Sequence, residues 1–249
     1  MISFSALLLT WYLNMLLKNE TLLLRVLSIL SVLLVLAALA VVLFLTPLEQ
    51  TMGAVQKVFY FHLSAAWVGM LAFILAALFG IFYLRKADLK WDRLAAASVE
   101  IGLLFTVITI LSGMIWARPI WNTWWTWDPR LTTITIMAFT YLGYLLLRRS
   151  SEEPEKRARF SAIYAVLGVL SVPLTFLSAH LLRSIHPVIF LGSSPEMAMN
   201  PAMYRALFLG LFSFSVLYLA LLWQRVRLGR LQEEVDSLRQ LESEDFRPC

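Results

Sequence analysis

The chain has 249 residues, of which 60% are hydrophobic and only 15% charged, and its formal net charge is +5. Soluble domains average about 25% charged residues, so the composition excludes an ordinary soluble globule and points to an integral membrane protein. The basic residues stand in short clusters between apolar runs, a pattern that orients spans in a membrane and excludes a nucleic-acid surface.

Residues 2–17 are apolar, with no basic stretch before them and no small-residue cleavage pattern after them. They are therefore read as an interfacial segment or an extension of the first span, not as a signal peptide. A spanning helix takes about 20 mostly apolar residues. Six such stretches follow, at Leu22–Leu45, Phe59–Leu84, Leu94–Ile115, Leu131–Leu147, Phe160–Leu182 and Ala202–Trp223. Beyond the last, Leu228, Leu231, Val235, Leu238 and Leu241 recur at spacings of three and four, which continues the helix with one apolar stripe. That stripe is either a fraying helix end or the docking face for a partner helix. The single cysteine, Cys249, allows no disulfide within this sequence and no cysteine-based metal motif, and no Walker-type phosphate loop occurs.

Cytoplasmic loops carry the excess of Lys and Arg. With six spans, sixteen of the 21 basic residues fall on the side of the termini, and only Lys57, Arg118, Arg130, Arg183 and Arg205 fall on the other. The expected architecture is an all-α integral membrane protein with six transmembrane helices and both termini cytoplasmic. Residues 1–223 would form the membrane domain, with an outward loop at 116–130, and residues 224–249 a cytoplasmic helix or tail.

That loop concentrates the unusual chemistry. Five of the nine tryptophans, Trp116, Trp121, Trp124, Trp125 and Trp127, lie within twelve positions, beside Arg118, Asp128 and Arg130. One reading is an interfacial aromatic belt. Belts, however, scatter single residues over many helix ends, and the concentration here suits a large, flat, partly anionic ligand. All three histidines are expected at the same outward side: His62 early in the second span, His180 late in the fifth, and His186 in the loop after it. Neutral imidazole is a good iron ligand and commonly holds heme axially. Two histidines over an aromatic shelf would thus make a six-coordinate heme site.

The three histidines differ. His186 precedes Pro187, which biases it away from helical geometry, whereas a helix would fix the direction of His62. On a continuous helix His180 would point about 120° away from His186, so His180 is taken as structural. Arg118 and Arg130, with Arg183 next, are candidates to pair the two heme propionates. Asp128 would either orient a His or Trp ring or, the preferred reading, brace Arg118 or Arg130. Glu100 lies roughly 9 Å into the third span. A carboxyl at that depth is functional by default, unless it is protonated or bonded to a neighbouring helix.

The run W-A-R-P-I-W-N-T-W-W-T-W-D-P-R-L-T, with His62 before it and His186 after it, resembles the Trp-rich heme-handling proteins of cytochrome c maturation, and within them the CcmC family. The resemblance covers nearly the whole chain. It implies heme b bound at the outward loop of a multi-pass protein of the bacterial inner membrane, on the periplasmic side, with His62 and His186 as axial ligands. Trp116, Trp121, Trp124, Trp125, Trp127 and Asp128 would be the motif residues. It further implies transfer to a CcmE-like heme chaperone, with a CcmD-like small membrane protein, CcmA and CcmB transporter subunits and membrane lipid as partners, and no enzymatic bond chemistry. Ala117 and Asn122 stand where the family often has Gly, Pro129 where it often has Ala, and Leu181–Leu182 where it usually has a Trp pair. A cytochrome c synthase subunit of the CcsA type is the alternative, although such subunits usually have more spans and a Glu where this chain has Leu131 and Thr132. A b-type electron-transfer subunit is the further alternative, but it would carry its histidines on facing helices within the bilayer.

Overall fold

In hydrocarbon every backbone N–H and C=O must be satisfied within its own segment, so apolar stretches of this length must be helical. The computed structural model of the chain describes residues 4–186 and 200–245, with side chains for 20–186, 200–237 and 239. The side chains of Lys18, Leu238 and Leu241, together with Pro187, Arg247 and Cys249, lie outside the described residues. The described elements are all helical: α1 (Phe4–Ala40), a π-helical turn (Val41–Leu45), α2 (Gln56–Lys86), α3 (Leu89–Trp121), α4 (Pro129–Arg149), α5 (Pro154–Gly168), α6 (Ser171–Leu181) and α7 (Pro201–Asp245). Among the described residues there is no strand, and six segments are long and apolar enough to cross a membrane.

Two elements differ from the expected spans for reasons visible in the sequence. The apolar N-terminal residues lengthen the first helix, which runs unbroken from Phe4. The fifth span is two helices, α5 and α6, separated at Val169–Leu170. Pro173 has no N–H to donate, and its ring crowds the carbonyl four residues back, at Val169, so the ladder is interrupted there. At the other end of the chain, α7 passes Trp223 without a break, and Val226 is buried in the core.

α2 and α3 form the central hairpin, α1 packs on α7, and α5 and α7 both lie against α2. Without a hydrophobic force between helices in lipid, association depends on close backbone approach, which small residues permit. Along α2, Ala65, Ala72 and Ala76 are fully buried. By contrast, the exposed positions of α1 are Leu22, Leu23, Val26, Ile29 and Leu33, an apolar surface that water would not tolerate and lipid does. Several polar groups inside the bundle are paired. Ser98 and Tyr218 share a hydrogen bond of 2.8 Å, and Thr106 and Thr109 donate to carbonyls one turn back. Glu100 is bonded to a neighbouring helix, its Oε1 accepting from Arg225 Nη2 at 2.9 Å in a two-pronged ion pair. Asp92, nearly fully buried, accepts from Arg148 in the same way.

The tightest contact in the core involves a glycine. Phe73 of α2 stacks on Tyr141 of α4, with ring centroids 3.6 Å apart and planes 2° from parallel, while its Cδ1 and Cε1 atoms lie against Gly102 of α3. A Cβ at Gly102 would lie 2.6 Å from Phe73 Cε1, and the ring is fully buried and stacked on Tyr141. Gly102→Ala should therefore destabilise the bundle by about 2 kcal/mol, the usual cost of overpacking. Reversible unfolding in mixed detergent micelles measures this, and an unchanged midpoint would contradict the packing argument.

Candidate functional site

One end of the bundle gathers most of the residues singled out above. α3 stops where Asn122 takes the left-handed conformation, at φ 54°. Glycine is the usual residue at such a C-cap and Asn is the side chain that tolerates it best, so Asn122 in place of Gly keeps the backbone path. Arg118 donates from Nη1 to the Asn122 side-chain oxygen, one turn along. α4 then begins with Pro129 at its first position, where a missing N–H costs nothing. The Trp-rich segment is thus the last turns of α3 plus a short connection.

Behind this connection lies a cavity of about 600 Å³, within the range of about 300–1,000 Å³ typical of sites for large organic ligands. Its wall includes all three histidines, His62, His180 and His186, together with Trp116, Trp121, Trp124, Trp125 and Arg130. Residues that sequence reasoning did not single out complete it, among them Trp67, Met70, Met114 and Phe176. Trp116 is buried and meets Trp121 edge to face, with ring centroids 5.0 Å apart. Trp127 is outside the wall, 74% exposed, with its ring edge-on to Trp125. Arg130 turns inward and donates from Nη2 to the Phe176 carbonyl at 2.8 Å. Arg118 and the exposed Arg183 do not line the cavity.

His62 is held on two sides by α3. Its Nδ1 lies 3.1 Å from Ser112 Oγ. The Ser112 hydroxyl already donates to the Ile108 carbonyl at 2.7 Å, so toward the imidazole it accepts. Nδ1 therefore carries the proton, and the Nε2 lone pair remains for a ligand. Gly113 makes the approach possible, since a Cβ there would stand 2.9 Å from His62 Cε1. Nothing in the third span marks Ser112 or Gly113 as special until α2 is laid against it.

His186 arrives on an irregular segment after α6, and Asp128 holds that segment. The Asp128 carboxylate accepts from the Arg130 backbone N–H at 3.0 Å, which caps α4. It also accepts from Ser184 Oγ and from the Ile185 N–H, both at 2.9 Å, and the Ser184 hydroxyl oxygen accepts from the His186 N–H at 3.0 Å. Among the described residues Asp128 makes no ion pair with Arg118 or Arg130 and no hydrogen bond to a His or Trp ring. It ties the backbone that carries His186 to the start of α4. The His186 ring faces Trp121, with centroids 6.1 Å apart, and its Nδ1 is buried without a hydrogen-bond partner. Burial first, then the nearby Arg130 and His62, push His186 down to about 3 against an opposing pull from Asp128, so its imidazole is neutral at physiological pH.

Six helices long and apolar enough to cross a membrane, with imidazoles and indoles gathered around one cavity, define a multi-pass membrane protein with a cavity of ligand size. A family model described as heme exporter protein C matches residues 12–241. Among curated proteins, heme exporter protein C of Rhodobacter capsulatus is 29% identical over 200 residues, covering 80% of this chain and 83% of that one. Heme exporter protein C of Escherichia coli K12 is 31% identical over 186 residues, 73% of each chain. A mitochondrial protein of Marchantia polymorpha, named as ccmC-like and for cytochrome c biosynthesis, is 29% identical over 144 residues, 58% of this chain and 60% of its own. The chain belongs to the heme exporter protein C family, and its role lies in heme delivery during cytochrome c maturation.

The Asp128 tether makes a separable prediction. Asn caps a helix as well as Asp does, but its NH2 group cannot accept a hydrogen bond. Asp128→Asn should therefore leave α4 capped while speeding amide hydrogen exchange at Ile185 by about tenfold, the equivalent of one lost hydrogen bond. Asp128→Ala should also fray the first turn of α4. Burial raises the Asp128 pKa, but the bonds from Ser184, Ile185 and Arg130 outweigh it and hold the group below its usual range. The tether is therefore complete above the ordinary carboxylate range and is lost as pH falls through the lowered value. Exchange at Ile185 in Asp128→Asn that matches the unsubstituted chain would contradict it.

Proposed function

We propose that this protein holds heme b in the aromatic cavity, with His62 and His186 as axial ligands, and passes it to a CcmE-like heme chaperone. The observation that carries this reading is that His62 and His186 line one cavity while Ser112 leaves His62 Nε2 available. Bound there, heme would supply an iron that takes nitrogen ligands and two propionates that accept charge-assisted hydrogen bonds. The residues present suit such a group: flat indole faces, a fixed imidazole, the unpartnered Nδ1 of His186 and an inward Arg130.

Each side chain then has a distinct task. His62, rigid on α2 and braced by Ser112, is the ligand that stays. His186, on an irregular segment tied through Asp128, would be the less rigidly held of the two ligands. Trp116 and Trp121 form the inner wall and Trp124 and Trp125 the outer one. Trp127, already exposed, remains to meet the partner, as exposed tryptophans at interfaces do. Arg130 takes the propionate role, while Arg118 and Arg183 stand outside the wall. The protein does no bond chemistry unaided. The bias of sixteen basic residues against five supports a cavity on the periplasmic side of the bacterial inner membrane, with both termini cytoplasmic. On this reading its partners also include a CcmD-like small protein and CcmA and CcmB transporter subunits, the apolar stripe of α7 at Leu228, Leu231 and Val235 being free for a helix.

Purified His62→Ala and His186→Ala should retain heme at least about tenfold less well than the unsubstituted chain, whereas His180→Ala should stay within about twofold, measured by the pyridine hemochrome spectrum. Equal retention in all three would sink the ligand assignment. Ser112→Ala, which removes only the brace, should weaken retention by about tenfold with no change in unfolding midpoint. An apocytochrome co-expressed with this chain alone should remain free of covalent heme, and the opposite result would favour the synthase reading.

A further inference from the structure

At the end of the bundle away from the histidines, a second cavity of about 490 Å³ opens between α3, α4, α5 and α7, and five arginines line it: Arg93, Arg148, Arg149, Arg157 and Arg225. Three of them are neutralised within the protein. Arg148 is paired with Asp92, Arg225 with Glu100 and Arg93 with Glu233. The remaining carboxylate of the wall, Asp236, faces Arg239. Arg149 and Arg157 have no ion-pair partner among the described residues, and Arg157 Nε is buried without a hydrogen-bond acceptor. Two guanidinium groups converging on one polar cavity, each with donors unused, leave an anion's position open.

We propose that this cavity binds a phosphate compound of net negative charge, its phosphate gripped by Arg149 and Arg157. Guanidinium presents a planar fork that matches phosphate oxygens in pairs, and the three internal ion pairs fix the walls so that the fork positions are not filled by carboxylates of the chain. The cavity lies where α4 ends at Arg149 and α5 begins at Pro154, at the limit of the membrane-crossing segments. That is the depth at which phospholipid headgroups lie, and basic pockets between helices are known to hold them. A small phosphate compound from solution offers the same chemistry. A charge excess that served only to orient the spans would require no cavity and no particular ligand.

The test uses the full chain purified in non-ionic detergent, with its thermal midpoint followed on titration with dioleoyl phosphatidylglycerol, dioleoyl phosphatidylcholine or inorganic phosphate. Saturable stabilisation by phosphatidylglycerol, and not by phosphatidylcholine or phosphate, supports the proposal with a lipid source. Stabilisation by inorganic phosphate as well supports it with a soluble source. In either case the half-saturating concentration should rise by about tenfold for each guanidinium lost in R149Q and R149Q/R157Q, while heme retention at the far end is unchanged. Arg149 is exposed and unpaired, so R149Q alone reads the effect if the double variant does not fold. No saturable effect of any probe, equal stabilisation by phosphatidylcholine, or a response in R149Q equal to that of the unsubstituted chain overturns it.

Discussion

Two segments that are far apart along the chain meet on one carboxylate. Asp128 caps α4, takes the Ser184 hydroxyl and takes the Ile185 N–H, and through Ser184 it orients the His186 amide. Without it the segment after α6 would carry unpaired donors at the edge of a membrane, where an unmade hydrogen bond is costly. The aromatic cavity depends on this tie. The α2–α3 hairpin brings His62 to its wall, the segment after α6 brings His186, and Asp128 joins that segment to the Trp-rich connection.

The two ends of the bundle solve opposite problems. At the histidine end the wall is largely aromatic and apolar, with Arg130 the one guanidinium lining it among the described residues. At the far end guanidinium groups and carboxylates interlock, and Asp92–Arg148 and Glu100–Arg225 stitch α3 to α4 and α7. Between them the bundle is built from alanines, glycines and stacked rings, which is how helices approach closely when lipid supplies no hydrophobic drive. Glu100 illustrates the division. Its depth in the third span suggests function, yet its two-pronged pair with Arg225 makes it part of the stitching.

The departures from the family pattern became intelligible only with backbone geometry. Asn122 occupies a left-handed C-cap and Pro129 a helix first position, so each substitution keeps the path that Gly or Ala would take. Leu181 and Leu182, in place of the usual Trp pair, are exposed and stand outside the cavity wall. The break between α5 and α6 was written in Pro173, but a span judged by average hydropathy passes over it.

Hydropathy and charge act locally, residue by residue, so the sequence by itself determined the six apolar helices, the unequal distribution of basic residues and the gathering of Trp and His toward one end. The same residues and their order were enough to point to the heme-handling family. Which partner each polar side chain meets is a different kind of quantity. His62 finds Ser112 fifty positions away and Asp128 finds Ser184 fifty-six positions away, pairings set by how helices rotate and slide against one another. A rotation of one residue, about 100° on a helix, turns an arginine from cavity wall to rim. Only the tertiary structure could therefore decide that Arg130 faces inward while Arg118 and Arg183 do not, that Trp127 stays outside, and that Asp128 holds backbone rather than an arginine.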